Sequence, residues 1–220
     1  MIKVRNLNFA YTKEYNILYN ISFEIKNNET IFIYGEQESG RSTLLRILTG
    51  IEEPTSGEVI YDNLPVSKEI FKNDVALGFV PEKLAYIENK SVYKNLEYIL
   101  NIRKVNKVLR DVKINNALKC YNLEPLKNEK IKNLGRFDRL KVALARLSLR
   151  KLDYIIIDDV FKDLPLSDID YFITELKNLI KSNNAAAIIV SDNPDIAKKL
   201  DCKNYKLENG VLTCSEGKNV

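Results

Sequence analysis

The sequence predicts an α/β fold built around a phosphate-binding loop, and three observations carry that expectation. The stretch Gly35-Glu36-Gln37-Glu38-Ser39-Gly40-Arg41-Ser42-Thr43 has glycine, cation and hydroxyl at G-x-x-x-x-G-[KR]-[ST] spacing. It lies between an apolar run, Thr30 to Tyr34, and a helical stripe of Leu44, Leu45, Ile47 and Leu48 that stops at Gly50. Second, Tyr154 to Asp159 is a continuous apolar run ending in two carboxylates. Such a run suits a parallel strand buried on both faces, whose carboxyl end is where ligands of open α/β sheets gather. Third, the hydrophobic spacing is strand-like at first, turns helical between about 83 and 151, and then alternates strand with helix.

Taken in order, residues 1–35 alternate apolar and polar (Ile2, Val4, Leu7 and Phe9, then Ile21, Phe23 and Ile25, then Ile31 and Ile33) and predict an antiparallel edge sheet leading into the loop. The loop would work by letting consecutive backbone N–H groups converge on phosphate oxygens at a helix N-terminus, with a cation on the outer phosphates and a hydroxyl on Mg²⁺. Arg41 stands where that motif usually has lysine, so the loop alone also fits a strand-to-helix turn without a ligand. Strands are expected at Gly57–Tyr61, followed by a turn at Asp62-Asn63, and at Ala76–Val80, ended by Pro81. Helices are expected on Val92, Leu96, Ile99 and Leu100, near 108–121, and from Asp138 through Leu140, Ala143, Leu144 and Leu147, together an α-helical insertion. After the Tyr154 strand, Ser167 with Asp170 three residues on predicts a helix cap ahead of Ile169, Phe172, Ile173, Leu176 and Ile180. A strand from Ala185 to Ser191 ending at Asp192, a short helix near 194–200 and a hairpin across Asn209-Gly210 complete the pattern.

Composition narrows the function classes. At 220 residues and 45% hydrophobic content the chain can bury a sizeable core as one large domain. Its net charge of +4 is too mild to argue for nucleic acid. Cys120, Cys202 and Cys214 are scattered without C-x-x-C spacing and read as reduced thiols of a cytosolic protein. There is no histidine, which removes the commonest general base and His-ligated zinc. No run approaches the ~18 apolar residues of a membrane span, so the expectation is a soluble chain whose membrane role comes through a partner.

The order of motifs resembles the nucleotide-binding domain of ABC-type ATPases over nearly the whole chain. The resemblance implies one such domain over residues 1–220: a P-loop NTPase fold of ABC type, with a mixed central sheet, an N-terminal antiparallel β-subdomain and the helical insertion at about 83–151. Tyr11 falls where the family stacks an aromatic on adenine, although an aromatic in a β-rich stretch is equally well read as packing. Gly35, Ser39, Gly40, Arg41, Ser42 and Thr43 fall on the phosphate loop, and Phe79-Val80-Pro81-Glu82 on the Q-loop with Glu82 at its glutamine. Leu134-Gly135-Arg136-Phe137-Asp138 matches the signature L-S-G-G-Q, Asp158 the Walker B aspartate, Asp159 the catalytic glutamate, and Asp192 the switch histidine. By the same resemblance Asp159, Asp192 and Glu82 are catalytic, Ser42, Glu82 and Asp158 hold the metal, and Gly135 and Arg136 meet nucleotide. The implied cofactors are ATP and Mg²⁺. The implied partners are an integral-membrane permease and a second nucleotide-binding domain, in a homo- or heterodimer, with no nucleic acid. The implied location is cytoplasmic, peripheral at the inner face of the cell membrane through the permease.

Several departures from the pattern add negative charge. Glu38 stands at a family glycine, Glu36 is a second acid nearby, Glu82 is a charged ligand in place of a neutral one, and Asp192 replaces a γ-phosphate donor. A carboxylate ~4 Å from a phosphate charge repels it by ~4 kcal/mol at an effective dielectric near 20. Asp159 is retracted by roughly 1.5 Å relative to a glutamate, and a displacement of ~1 Å can cost 10²-fold. Two functions follow: an ATP-binding subunit that drives a separate permease, and, as the alternative, a regulatory or scaffold pseudo-ATPase of the same fold. A metabolic P-loop kinase would leave the signature-like stretch and the helical lobe without purpose.

Overall fold

The computed structural model describes residues 1–12 and 15–215. The alternating N-terminal stretches pair as expected: β1 (Ile2–Thr12) and β2 (Tyr15–Ile25) are antiparallel, with Ile2 opposite Ile25, Val4 opposite Phe23 and Leu7 opposite Ile21. These six side chains are buried: a period of two places Ile2 and Val4, and Ile21, Phe23 and Ile25, on one face, and a register shift between Val4 and Leu7, where Asn6 has φ 46°, returns Leu7 to the core. On the other edge of β1 runs β4 (Ser56–Tyr61), followed by β5 (Leu64–Pro65) across Asp62 and Asn63, both at positive φ as a tight two-residue turn requires.

The third stretch departs from the expectation. β3 (Thr30–Tyr34) is not part of the antiparallel sheet but runs parallel to β8 (Ala186–Ser191) and β9 (Lys203–Glu208). The reason lies in Phe32, which joins Ile31 and Ile33 in a continuous apolar run buried on both faces rather than an alternating one. With β6 (Leu77–Val80), β7 (Tyr154–Asp158) and β10 (Val211–Ser215), the sheet among the described residues has ten strands in the order β5-β4-β1-β2-β10-β9-β3-β8-β7-β6. β7 pairs parallel with β8, placing Asp158 beside Val190, while Tyr34 of β3 lies beside Ser191. The carboxyl ends of β3, β8 and β7 therefore share one edge of the sheet.

The chain forms two compact units. The first comprises Met1–Phe79, Leu152–Asp159 and the chain from Ile180 on. Its core joins Leu44, Leu45, Ile47 and Leu48 of α1 (Arg41–Leu48) to the buried faces of β1, β2 and β4 and to Ile31, Ile33, Ile156 and Ile188 of the parallel strands. A short helix α2 (Ile70–Asn73) adds Ile70 to that core, and α7 (Asp195–Leu200) follows β8.

The second unit comprises Val80–Lys151 and Val160–Leu179. In it, α3 (Val92–Ile102) is capped by Ser91, whose hydroxyl accepts from Lys94 N–H, and α4 (Lys107–Cys120) by Asn106, whose side chain accepts from Leu109 N–H. Buried Asn95 latches the preceding loop: its Oδ1 accepts from Ile87 N–H, and its Nδ2 donates to the carbonyls of Ile87, Lys90 and Ser91. α5 (Arg136–Ser148) begins two residues before the expected Asp138, with Gly135 at its N-cap in an extended conformation. α6 (Leu166–Asn183) also begins earlier than expected. The Pro165 carbonyl accepts from Asp168 and Ile169 N–H, so Ser167 lies inside the first turn and is not the cap. Proline presets a helix-compatible φ, which lets the turn start there.

Candidate functional site

Where β3 hands over to α1, the chain makes a loop whose two motif glycines are dictated by close approach. A Cβ on Gly35 would stand 2.5 Å from the Ser39 hydroxyl and 2.8 Å from the Leu207 carbonyl oxygen of β9. Gly40 has φ +100° just before α1, and a Cβ there would meet Leu18 of β2 at 2.8 Å. Strands on both sides thus press on the loop and fix its path. Glu38, at the position where glycine was expected, takes φ +65°, a left-handed conformation that costs a side-chain-bearing residue ~1–2 kcal/mol.

Inside the loop Ser39 is 6% exposed and its hydroxyl has no hydrogen-bond partner in the protein. A buried hydroxyl without a partner is costly, and a phosphate oxygen lying in a loop at a helix N-terminus would satisfy it. Ser42 is exposed on the first turn of α1, and Thr43 is buried. A groove of about 290 Å³ beside the loop is lined by Tyr15, Glu36, Glu38, Ser39, Lys206 and Glu208. Its cation, Lys206, is paired to Glu208 at 2.9 Å, so the rim stays acidic. Among the described residues no group of three or more His, Cys, Asp or Glu side chains forms a metal cage. Mg²⁺ is usually held by one or two carboxylates together with substrate phosphates, and half-buried Asp158, at the end of β7, and the Ser42 hydroxyl are of the right chemistry.

The centre of the site is Asp159. Its backbone turns at φ 43°, and its N–H donates to the Val190 carbonyl at 2.8 Å, which pins it against the end of β8. Arg41 Nη1 reaches its Oδ2 at 3.2 Å, with the two side chains only 12% and 9% exposed. Oδ1 accepts from the Ser191 hydroxyl at 3.0 Å and, more distantly, from Asp192 N–H at 3.5 Å. Both carboxylate oxygens are therefore engaged, and the cation of the phosphate loop is neutralised from within the protein.

Of the residues expected from the sequence, Arg41, Asp159 and Asp192 are joined in this way, Asp192 through its backbone, and Gly35, Ser39 and Gly40 belong to the loop that leads into Arg41. Ser42, Thr43 and Asp158 lie on the same elements. Tyr11, near the end of β1, belongs to the same unit and stands 59% exposed, edge-on to Phe9 at 4.8 Å. Glu82, Gly135 and Arg136 belong to the second unit. Glu82 is exposed; Gly135 is exposed, with open space where a Cβ would go; and Arg136 Nη2 donates to the Val160 carbonyl at 3.2 Å. Phe137 packs edge-on to Tyr171 with Lys141 over its ring. Arg139 makes two 2.9 Å contacts to Glu88 and a third to the Leu134 carbonyl, bracing the chain just before α5. Sequence reasoning missed Ser191, since nothing in the local pattern links the last residue of an apolar strand to a carboxylate 32 positions away.

A family model described as "ABC transporter" matches residues 18–162. The molybdate/tungstate import ATP-binding protein of Methanocaldococcus jannaschii is 34% identical over 81% of the chain, which spans 59% of that relative's length. The lipoprotein-releasing system ATP-binding protein of Buchnera aphidicola is 28% identical, with 96% of each chain covered. Among solved structures, that of cbiO1 from Clostridium perfringens, part of the ABC transporter complex cbiONQ, superposes with a TM-score of 0.85 at 26% identity, covering 96% of this chain and 86% of that one.

Proposed function

The chain belongs to the ABC transporter family, and from that premise we propose that it is the ATP-binding subunit of an ABC transporter, coupling ATP binding and hydrolysis to transport through a separate integral-membrane permease. The observation that carries this reading is the orphaned, buried Ser39 hydroxyl inside a glycine-shaped loop whose cation, Arg41, faces the carboxylate after β7. Gly35, Ser39, Gly40, Arg41, Ser42 and Thr43 would hold the phosphates, Ser42, Asp158 and Glu82 the Mg²⁺, and Tyr11 the adenine. When bound, Mg²⁺-ATP supplies an electrophilic terminal phosphoryl group. Asp159 orients the attacking water and accepts its proton, Glu82 and Asp192 assist, and Gly135 and Arg136 serve the nucleotide held by a second nucleotide-binding domain. The division of labour follows a single ABC-type domain over residues 1–220 with its helical insertion at about 83–151.

The permease would meet the second unit. α4 is apolar on two sides: Ile114, Ala117 and Leu118 face the unit's core, while Val108, Leu109 and Val112 are 76%, 44% and 51% exposed. Tyr98 and Ile102 of α3 are exposed as well. Exposed apolar side chains such as these, where they form one patch, suit a protein partner. No helix among the described residues is long and apolar enough to cross a membrane, which fits a chain held cytoplasmically at the inner face of the membrane by its permease. The net charge of +4 gives no support to a nucleic-acid partner.

Purifying the chain with whatever membrane protein it retains, then measuring ATP turnover in vesicles, tests the reading. Co-purification of a permease and turnover that depends on it are expected. Failure of the chain to bind nucleotide would overturn the proposal, and binding without turnover in the assembled complex would establish the pseudo-ATPase alternative.

A further inference from the structure

Ser191 is fully buried and lies where three parts of the site meet. Its hydroxyl donates to Asp159 Oδ1 at 3.0 Å and accepts from Asn193 N–H at 3.2 Å, while its carbonyl accepts from Gly35 N–H at 3.4 Å. One residue thus ties the carboxylate to the first glycine of the phosphate loop and to the chain leaving β8. The backbone of Asp159 is already pinned by its N–H bond to Val190, so only the side-chain torsions remain free. Three groups restrain them: the Ser191 hydroxyl at 3.0 Å and, more distantly at 3.5 Å, the Asp192 N–H on Oδ1, and Arg41 on Oδ2.

Arg41 cannot serve Asp159 and an anion in the loop equally. When it turns to an anion, Oδ2 is released, and the carboxylate is either still held or free to rotate. We propose that Ser191 is a positioning residue for Asp159: it holds Oδ1 so that Oδ2, once Arg41 leaves it, stays aimed instead of swinging away. The proposal rests on the nucleotide-binding reading above. The need for such a restraint is sharp here because an aspartate is short, and ~1 Å of misplacement can cost 10²-fold in rate.

A double-mutant cycle in the complete chain, assembled with its permease, tests this. Ser191→Ala, Asp159→Asn and the pair are compared by single-turnover ATP hydrolysis, by calorimetric binding of Mg²⁺-ADP and by thermal unfolding. Ser191→Ala should slow hydrolysis by about 10- to 100-fold, change ADP affinity by less than about twofold, and slow the Asp159→Asn protein no further, because residues that act as one unit are not additive. Equal losses in both backgrounds, or a loss of ADP affinity matching the loss of rate, would show that the hydroxyl merely supports the end of β8. Should Ser191→Ala fold poorly, Ser191→Cys keeps the volume with a weak donor and must lose rate similarly; full activity overturns the proposal. A wild-type chain that binds no nucleotide defeats the reading of the site itself. One that binds but never turns over defeats the positioning role alone, and one that turns over with an additive cycle does the same.

Discussion

Replacing Asp159 by asparagine should tighten nucleotide binding by the isolated chain, the reverse of what removing an active-site carboxylate usually does. The substitution keeps the side-chain shape and an acceptor for Ser191 but removes the charge that Arg41 faces at 3.2 Å. At an effective dielectric near 20, two unit charges at that distance attract by ~5 kcal/mol. Most of that is offset by the desolvation of two side chains that are only 12% and 9% exposed. What Arg41 gives up on turning to a phosphate is nearer the ~1.5–3 kcal/mol of a charge-assisted hydrogen bond. At about 1.4 kcal/mol per decade, Mg²⁺-ADP affinity should rise roughly 10- to 100-fold. ADP is the right probe because hydrolysis cannot intrude on the calorimetry. The same variant leaves Arg41 as an uncompensated, largely buried charge, so the nucleotide-free protein should lose about 3 kcal/mol of stability and regain most of it on saturation with ADP. An affinity equal to or weaker than that of the wild type would refute the idea that Asp159 competes with the ligand for Arg41.

Three further outcomes are expected. Glu38→Gly should tighten ATP binding several-fold, an effect that shrinks as salt is raised; relief of the positive φ and the entropy of the new glycine offset one another to within ~1 kcal/mol, so a large change in unfolding midpoint would point away from electrostatics. Asn95→Ala should destabilise the protein by about 1–3 kcal/mol, because the Ile87 N–H is left without a partner while the carbonyls of Ile87, Lys90 and Ser91 keep only their bonds to backbone N–H groups, as chemical denaturation would reveal. In the assembled transporter, Asp159→Ala should lower ATP turnover more than Arg136→Ala; the opposite ordering would place hydrolysis at the partner's phosphate loop with Arg136 supplied in trans.

Much of the fold was legible because its determinants are local. The alternation of Ile2, Val4, Leu7 and Phe9, the stripe of α1 behind Gly40 and the turn residues Asn209 and Gly210 each report on neighbours within a few positions, and the elements formed where those patterns lie. The glycines of the loop could be read too, since their spacing has few other uses. Three things waited for the tertiary structure. β3 pairs with β8 and β9 and not with the N-terminal antiparallel strands, and its apolar run says only that both faces are covered, not which strands cover them. The starts of α5 and α6 depended on Gly135 and Pro165, whose roles are set by the path of the chain entering each helix. The state of the site depended on Arg41 and Ser191 meeting Asp159 across 118 and 32 residues of chain. Spacing along the chain determined which chemical groups this protein carries; strand order, fixed by how the apolar faces bury one another, decided that its one loop cation is held by its own carboxylate.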